Sequence, residues 1–294
     1  MSVSTTRAIW MDASPLKLDG PQATKAAREQ SRAKRQWRLR GTLTSRQYAL
    51  YAFLGVATPI LLWAFVNEAG IVPKMFMPGP LDVLKRFWSW IANEGFAGDL
   101  TISVQRVSLG FLASLIIALP LGLVAGTFKP AEAFLEPAMD FIRYMPAVAF
   151  VPLMMLWCGV GENSKIAIIF VGTFFQMVLM FADDVRKVPM QQIEAAQTMG
   201  GTRREILYKV IFPSAAPALL TTCRITLGWA WTYLVVAEIV AANSGLGYSV
   251  LKAQRFLQTD KIFAGLIVIG FLGLIQDQLL RALHHALFPY LRRQ

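Results

Sequence analysis

Four runs along the chain carry no charged residue: Tyr48–Val66, Val107–Phe128, Tyr144–Val160 and Ile166–Ala182. Each is at or near the roughly 20 residues that a helix needs to cross about 30 Å of hydrocarbon. Two more apolar stretches carry charge inside them. Pro213–Ala242 contains Arg224 and Glu238, and Lys261–Tyr290 contains Asp277 and Arg281 towards its far end. These runs are continuously apolar. They lack the apolar–polar alternation of a membrane β-barrel strand, which is the other spanning solution. The pattern predicts an all-α integral membrane fold with six transmembrane helices, at about 48–66, 101–128, 132–158, 163–184, 214–242 and 261–288. Pro146 and Pro152 predict kinks in the third. Gly122 and Gly126 form a GxxxG pair in the second, a spacing that permits close helix approach. Between the first two spans, Leu81–Ile91 has helical apolar spacing with Trp88 and Trp90. It predicts an amphipathic helix on the outer membrane interface.

Composition agrees. The 294 residues are 55% hydrophobic and 16% charged, where a soluble domain is about a quarter charged. A net charge of +11 raises nucleic acid as a partner, but the distribution argues against it. Ten of the 29 Lys and Arg lie in residues 1–46. That tail has no apolar core of a secretory signal, and it reads as a disordered, basic cytoplasmic arm. With the N-terminus inside, 19 Lys and Arg fall in cytoplasmic segments and seven in external ones. The remaining three, Arg106, Arg143 and Arg224, fall within helices. The bias predicts both termini in the cytoplasm. Cys158 and Cys223 form no ligand pattern. His284 and His285 have no third ligand nearby, so neither a metal site nor a resident cofactor is expected.

One polar insert interrupts the oily pattern: "EAAQTMGGTRREILYKVIFP", residues 194–213. Pro189 suits the first turn of a helix. Gly200 suits a left-handed helix cap, and Gly201 continues the turn. Thr202-Arg-Arg-Glu205 has the pattern of a capping box that starts a second helix. Pro213 marks the transition into the fifth span. The reading is two short helices joined by a glycine corner on the cytoplasmic face. Residues alone leave a docking element and a plain connector both open.

This insert resembles the EAA motif of the binding-protein-dependent ABC importer permeases: Glu-Ala-Ala, three residues, Gly, nine residues, Ile-x-Leu-Pro. Glu194, Ala195 and Ala196 are followed by Gly200 at the required offset. Val210-Ile211-Phe212-Pro213 closes the motif, with apolar replacements at its Ile and Leu positions. The resemblance covers about residues 75–290. It is closest to the nitrate, bicarbonate, taurine and alkanesulfonate group, through "SVQRVSLGF" (103–111), "RYMPAVAFVPLMMLWCGVGENSK" (143–165) and "AEIVAANSGLGYSV" (237–250). It implies a type I importer permease with a MetI-like core in residues 47–294 of a bacterial cytoplasmic membrane. Segment 189–213 would then be the coupling segment, with Glu194, Ala195, Ala196, Gly200, Gly201, Arg203 and Pro213 meeting a separate ABC ATPase. Further implied partners are a periplasmic or extracellular substrate-binding protein and a second permease copy. ATP and Mg would be bound by the ATPase, since the chain has no G-x-x-x-x-G-K-[ST] loop.

Charges inside a membrane are costly and default to functional candidates. Arg106, Arg143, Arg224 and Glu238 are therefore candidates for the translocation path of a small anion. The alternative for Arg106 and Glu238 is a structural ion pair near the outer surface. Arg224 and Glu238 lie about 21 Å apart along one helix, so each needs another partner. Two competing functions have weaker footing. A secondary carrier or channel would show paired half-repeats. An enzyme would need clustered acids, bases or ligands at one depth, and the one acidic pair, Asp183-Asp184, falls at a helix end where solvation explains it.

Overall fold

The computed structural model describes residues 43–293. Most of the basic tail predicted over 1–46 thus lies outside the described residues. The chain falls into two units, divided between Leu62 and Trp63. The described part of the first is the start of α1 (Ser45–Glu68). Tyr48, Phe53, Val56, Leu61 and Leu62 are all exposed. An apolar surface on every side suits a helix surrounded by lipid.

The second unit holds α2 (Pro80–Asn93), α3 (Phe96–Thr127), α4 (Lys129–Arg143), α5 (Val151–Cys158), α6 (Glu162–Arg186), α7 (Met190–Thr198), α8 (Arg203–Ile206), α9 (Phe212–Ala241), α10 (Leu246–Arg255) and α11 (Thr259–Leu287). Five helical stretches are long and apolar enough to cross a membrane: α1, α3, α6, the run from Arg203 to Val240, and α11. The sixth predicted span is a bent pair. The kinked helix expected over 132–158 is instead broken, and its two parts meet at 92°. Pro146 explains the break. It has no N–H to donate, and it disfavours helical backbone at Met145 before it. Pro146 itself is extended, with φ −59° and ψ 124°, and a 3-10 turn over Ala147–Phe150 leads into α5. The pair still carries the chain across the bundle. Glu136 near its start pairs with Arg186 at the end of α6. Cys158 at its end is followed by Glu162, which pairs with Arg106 near the start of α3.

The core lies between α3, α6 and α9, with Val107, Phe111, Met177, Phe181, Trp231 and Leu234 buried among them. Close approach of α3 and α6 depends on the predicted glycine pair. A methyl at Gly122 would lie 2.5 Å from Phe181 Cβ, and one at Gly126 would lie 2.6 Å from the Ala182 carbonyl oxygen. Lipid is as apolar as a leucine face, so membrane helices gain by such backbone proximity rather than by hiding apolar surface.

The amphipathic helix forms as predicted, but its tryptophans divide. Trp88 is exposed, while Trp90 is fully buried, stacks edge-on against Phe96 and lies under the Lys261 ammonium. Lys261 donates to Glu94 at 2.6 Å, and this hydrogen bond, with Arg86 beside it, holds the Glu94 carboxyl below its ordinary pKa.

Gly122→Ala is expected to lower the thermal midpoint of the detergent-solubilised protein, since overpacking a tight contact costs roughly 1–3 kcal/mol. Gly98→Ala, on the same helix with nothing within 4 Å of the added methyl, should not. Equal midpoints for the two variants would remove the packing role of Gly122.

Candidate functional site: a glycine corner and the intramembrane charges

The polar insert is a rigid corner. α7 turns Ile193 and Ala196 towards the core and leaves Glu194 and Ala195 exposed. Gly200 has φ +81°, a left-handed conformation that is nearly free for glycine and strained for other residues. Its N–H donates to the Gln197 carbonyl at 2.9 Å, and the Gly201 N–H donates to the Ala196 carbonyl at 3.0 Å. The capping box is complete. The Glu205 N–H donates to Thr202 Oγ1, and the Thr202 N–H donates to the Glu205 carboxylate. Ser214 Oγ donates to Gln192 at 3.0 Å and ties α7 to α9. Met199, at the tip, is 88% exposed. It borders a cleft of about 390 Å³ together with Ala196, Gly200, Gly201, Lys209 and Val210.

The second short helix differs from expectation, because it does not end before the fifth span. Arg203–Ile206 runs through a wider, π-type winding over Leu207–Ile211 directly into α9. The Phe212 N–H bonds five residues back to the Leu207 carbonyl. Pro213 supplies the cause: its ring cannot sit over an ordinary i−4 bond, and one widened turn absorbs the conflict without a break. Arg203 and Pro213 are both exposed on this continuous rod.

At the opposite end of the bundle, Arg106 and Glu238 meet, 1% and 0% exposed. Every Arg106 N–H is used. Nε and Nη2 grip the Glu162 carboxylate at 2.6 and 2.8 Å. Nη1 donates to Glu238 at 2.8 Å and to the Ser244 carbonyl at 2.7 Å. Nη2 also reaches Ser244 Oγ at 3.5 Å. Glu238 accepts further bonds from Ser103 Oγ and the Gly247 N–H, each 2.7 Å. Lys165 donates to Glu162 at 2.8 Å. Two cations and two carboxylates are thus held together and mutually satisfied. Charge-assisted and bidentate bonds of this kind are the strong ones.

Arg224 does not join this group. It grips Asp277 of α11 at 2.9 and 3.1 Å. Arg143 stands apart from both. It ends α4 at the helix break, pairs with the half-exposed Asp140 at 2.8 Å, and contacts Gln176 and the Tyr144 ring and hydroxyl. It also lines a cavity of about 240 Å³. The acidic pair at the end of α6 is only half solvated. Asp183 is exposed, whereas Asp184 is buried and accepts from Thr222 Oγ1 at 2.5 Å.

Glu162, Gln176 and Ser103 were not singled out from the sequence. Glu162 and Ser103 did fall within the stretches that carried the resemblance. Gln176 and Glu162 lie 33 and 56 residues along the chain from the arginines they serve, and Ser103 acts through Glu238, 135 residues away.

Arg106→Gln leaves Glu238 buried with one fewer counter-charge, and breaking a buried pair this way costs about 3–5 kcal/mol. Adding Glu238→Gln should restore part of that loss. A double variant no more stable in thermal denaturation than Arg106→Gln alone would deny the coupling.

Residues 118–289 match the family model of the binding-protein-dependent transport system inner membrane component. The putative aliphatic sulfonates transport permease SsuC of Bacillus subtilis (strain 168) is 35% identical over 80% of this chain and 85% of its own. The taurine transport system permease TauC of Escherichia coli (strain K12) is 34% identical over 80% of this chain and 87% of its own. A chain of the MetNI methionine ABC transporter in an inward-facing conformation shares the fold. Its TM-score is 0.53 at 20% identity, covering 63% of this chain and 94% of that one. The chain belongs to the binding-protein-dependent transport system inner membrane components, which are transport permeases and not enzymes.

Proposed function

We propose that this chain is the membrane subunit of an ATP-driven importer for a small anion of the sulfonate or taurine class. Its α7 corner then docks into a separate ATPase, which holds ATP and Mg, and a substrate-binding protein delivers the solute at the opposite end. The corner faces the cytoplasm in this reading, with both termini on the same side, in keeping with the Lys and Arg bias. A second copy of the chain completes the path. The substrate class follows the relatives' names and the positive charge of Arg143.

The observation that carries the reading is the corner itself. Its backbone is fixed by a left-handed glycine and a complete capping box, yet its tip offers an 88% exposed methionine beside a cleft. A plain connector needs no such rigidity. Loops that carry function are held on rigid scaffolds, and large exposed apolar side chains beside a cleft suit a partner surface. Arg106, Glu238 and Arg224 serve the scaffold in this reading, because their ion pairs join different helices, whereas Arg143 pairs with Asp140 on its own helix. Arg143 is left as the path residue.

The purified complex with its ATPase should hydrolyse ATP faster when the loaded binding protein is added. Glu194→Arg reverses an exposed charge at the corner and should leave the permease's own thermal midpoint unchanged. It should cut that stimulation by about tenfold, since a reversed interface charge costs on the order of 1–3 kcal/mol. Stimulated hydrolysis and ATPase co-purification at wild-type levels in Glu194→Arg would sink the docking reading.

A further inference from the structure

The cavity beside Arg143 lies at mid-depth in the bundle. Gly172, on its wall, is ten residues from Glu162 and fourteen from Arg186, the two ends of α6. At 1.5 Å per residue these are about 15 and 21 Å. Its backbone wall is the helix break itself, through Met145 and Ala147. Irregular backbone at membrane depth survives only where it is buried in protein or lines a wet cavity, and Met145 is 38% exposed.

The lining carries unspent hydrogen-bonding capacity. Arg143 uses three of its five N–H groups, on Asp140, Gln176 and Tyr144. Trp229, Thr232 and Tyr233 line the same space, and their side-chain polar atoms have no hydrogen-bond partner among the described residues. Tyr233 is seated where it is because position 172 is glycine: an added methyl would lie 2.4 Å from its ring. Arg143 and Gln176 also border a second polar space of about 210 Å³ with Glu136, Asp140, Asp183 and Arg186. These residues repeat at helical spacing, 136, 140 and 143 on α4 and 176, 183 and 186 on α6. Such a stripe is a costly surface to turn to lipid, and it suits water.

We infer that this cavity is a binding station for one small oxyanion or sulfonate, with Arg143 as its counter-charge and Thr232, Trp229 and Tyr233 as further donors. The inference rests on the importer reading and places the solute within it. The lining residues carry a guanidinium with two unused N–H groups, an indole N–H and two hydroxyls, a donor set that suits the three oxygens of a sulfonate. No carboxylate lines the cavity itself, and Asp140, which holds Arg143 Nε at 2.8 Å, borders the neighbouring space.

The test uses the whole complex in proteoliposomes, with Cys158→Ser and Cys223→Ala removing the two native thiols. Thr232→Cys is then labelled either with a sulfonate-bearing methanethiosulfonate or with its trimethylammonium counterpart. The sulfonate reagent should react about tenfold faster, since a charged cleft raises the local concentration of opposite charge by at least that factor. Arg143→Gln should abolish the preference, and Arg143→Lys should keep most of it. Equal rates for the two reagents, no labelling by either, or a preference unchanged in Arg143→Gln would each overturn the station. ATP hydrolysis stimulated by the binding protein is measured on the same preparations. Its absence in the otherwise wild-type complex would sink the importer reading, whereas its presence beside equal labelling rates would sink only the station.

Discussion

The Arg106 guanidinium is the interaction on which the rest of the structure turns. An arginine is always charged and cannot shed its proton to enter a membrane, so its burial near the head of α3 must be answered in full. The answer comes from three directions: Glu162 at the start of α6, Glu238 near the end of α9, and the Ser244 carbonyl in the following loop. Asp99 extends it by accepting from the Gly245 N–H and Ser249 Oγ, which anchors α10 as well. Four elements are thereby pinned at one end of the bundle. The glycine contacts pin α3 to α6 along the rest of their length. A three-helix frame fixed both at its head and along its seam lets the other elements be irregular.

α9 makes that frame mechanical. From Arg203 to Val240 the chain is one helical run of 38 residues, on the order of 57 Å at 1.5 Å per residue. It begins at the glycine corner, passes the mid-depth cavity at Trp229–Tyr233, and ends in the Arg106 network through Glu238. The rod therefore runs unbroken from the corner past the Arg224–Asp277 pair and the cavity to the Arg106 network. Had Pro213 broken the helix, the corner would hang on a flexible joint. The widened turn over Leu207–Ile211 keeps the rod continuous while it accommodates the proline.

Much of this was legible from local chemistry. The spans followed from uncharged runs, and the corner followed from Gly200 and the Thr202–Glu205 capping pattern, because each is decided within a few residues. The misses have a common physical origin. Pro213 looked like a boundary because proline usually is one, and only the neighbouring turn shows the i−5 bonding that rescues it. Pro146 predicts a kink, but the segment after it packs Val151 and Met154 on Ile168 of α6 and Ala237 of α9, and the two parts meet at 92°. The Arg106–Glu238 pairing could be suspected from shared depth. Glu162 and Ser244 could not be assigned to Arg106, because contacts across 56 and 138 residues depend on which helices pack together. Asp184 was read as solvated from its place at a helix end, yet Thr222 on α9 covers it.

The division of the charges also says where the bundle can move cheaply. Parting α3 from α9 at the Arg106 end would strip a buried pair of a partner, at roughly 3–5 kcal/mol for each group left unmatched. The segment after the break is held differently. Val151 and Met154 pack on Ile168 and Ala237, and the side chains of Ala147–Cys158 make no ion pair among the described residues. Lipid tails replace such apolar contacts at little cost, because there is no hydrophobic penalty for exposing leucine to hydrocarbon. Tyr144 keeps helical backbone, but Met145 and Pro146 belong to no helix, so rotation there gives up little beyond the turn bond from the Met145 N–H to the Ile142 carbonyl. The least expensive displacement at membrane depth is therefore a swing of α5 about the break. That break forms one wall of the Arg143 cavity, so the wall held without ion pairs and the arginine with two unused N–H groups are in the same place.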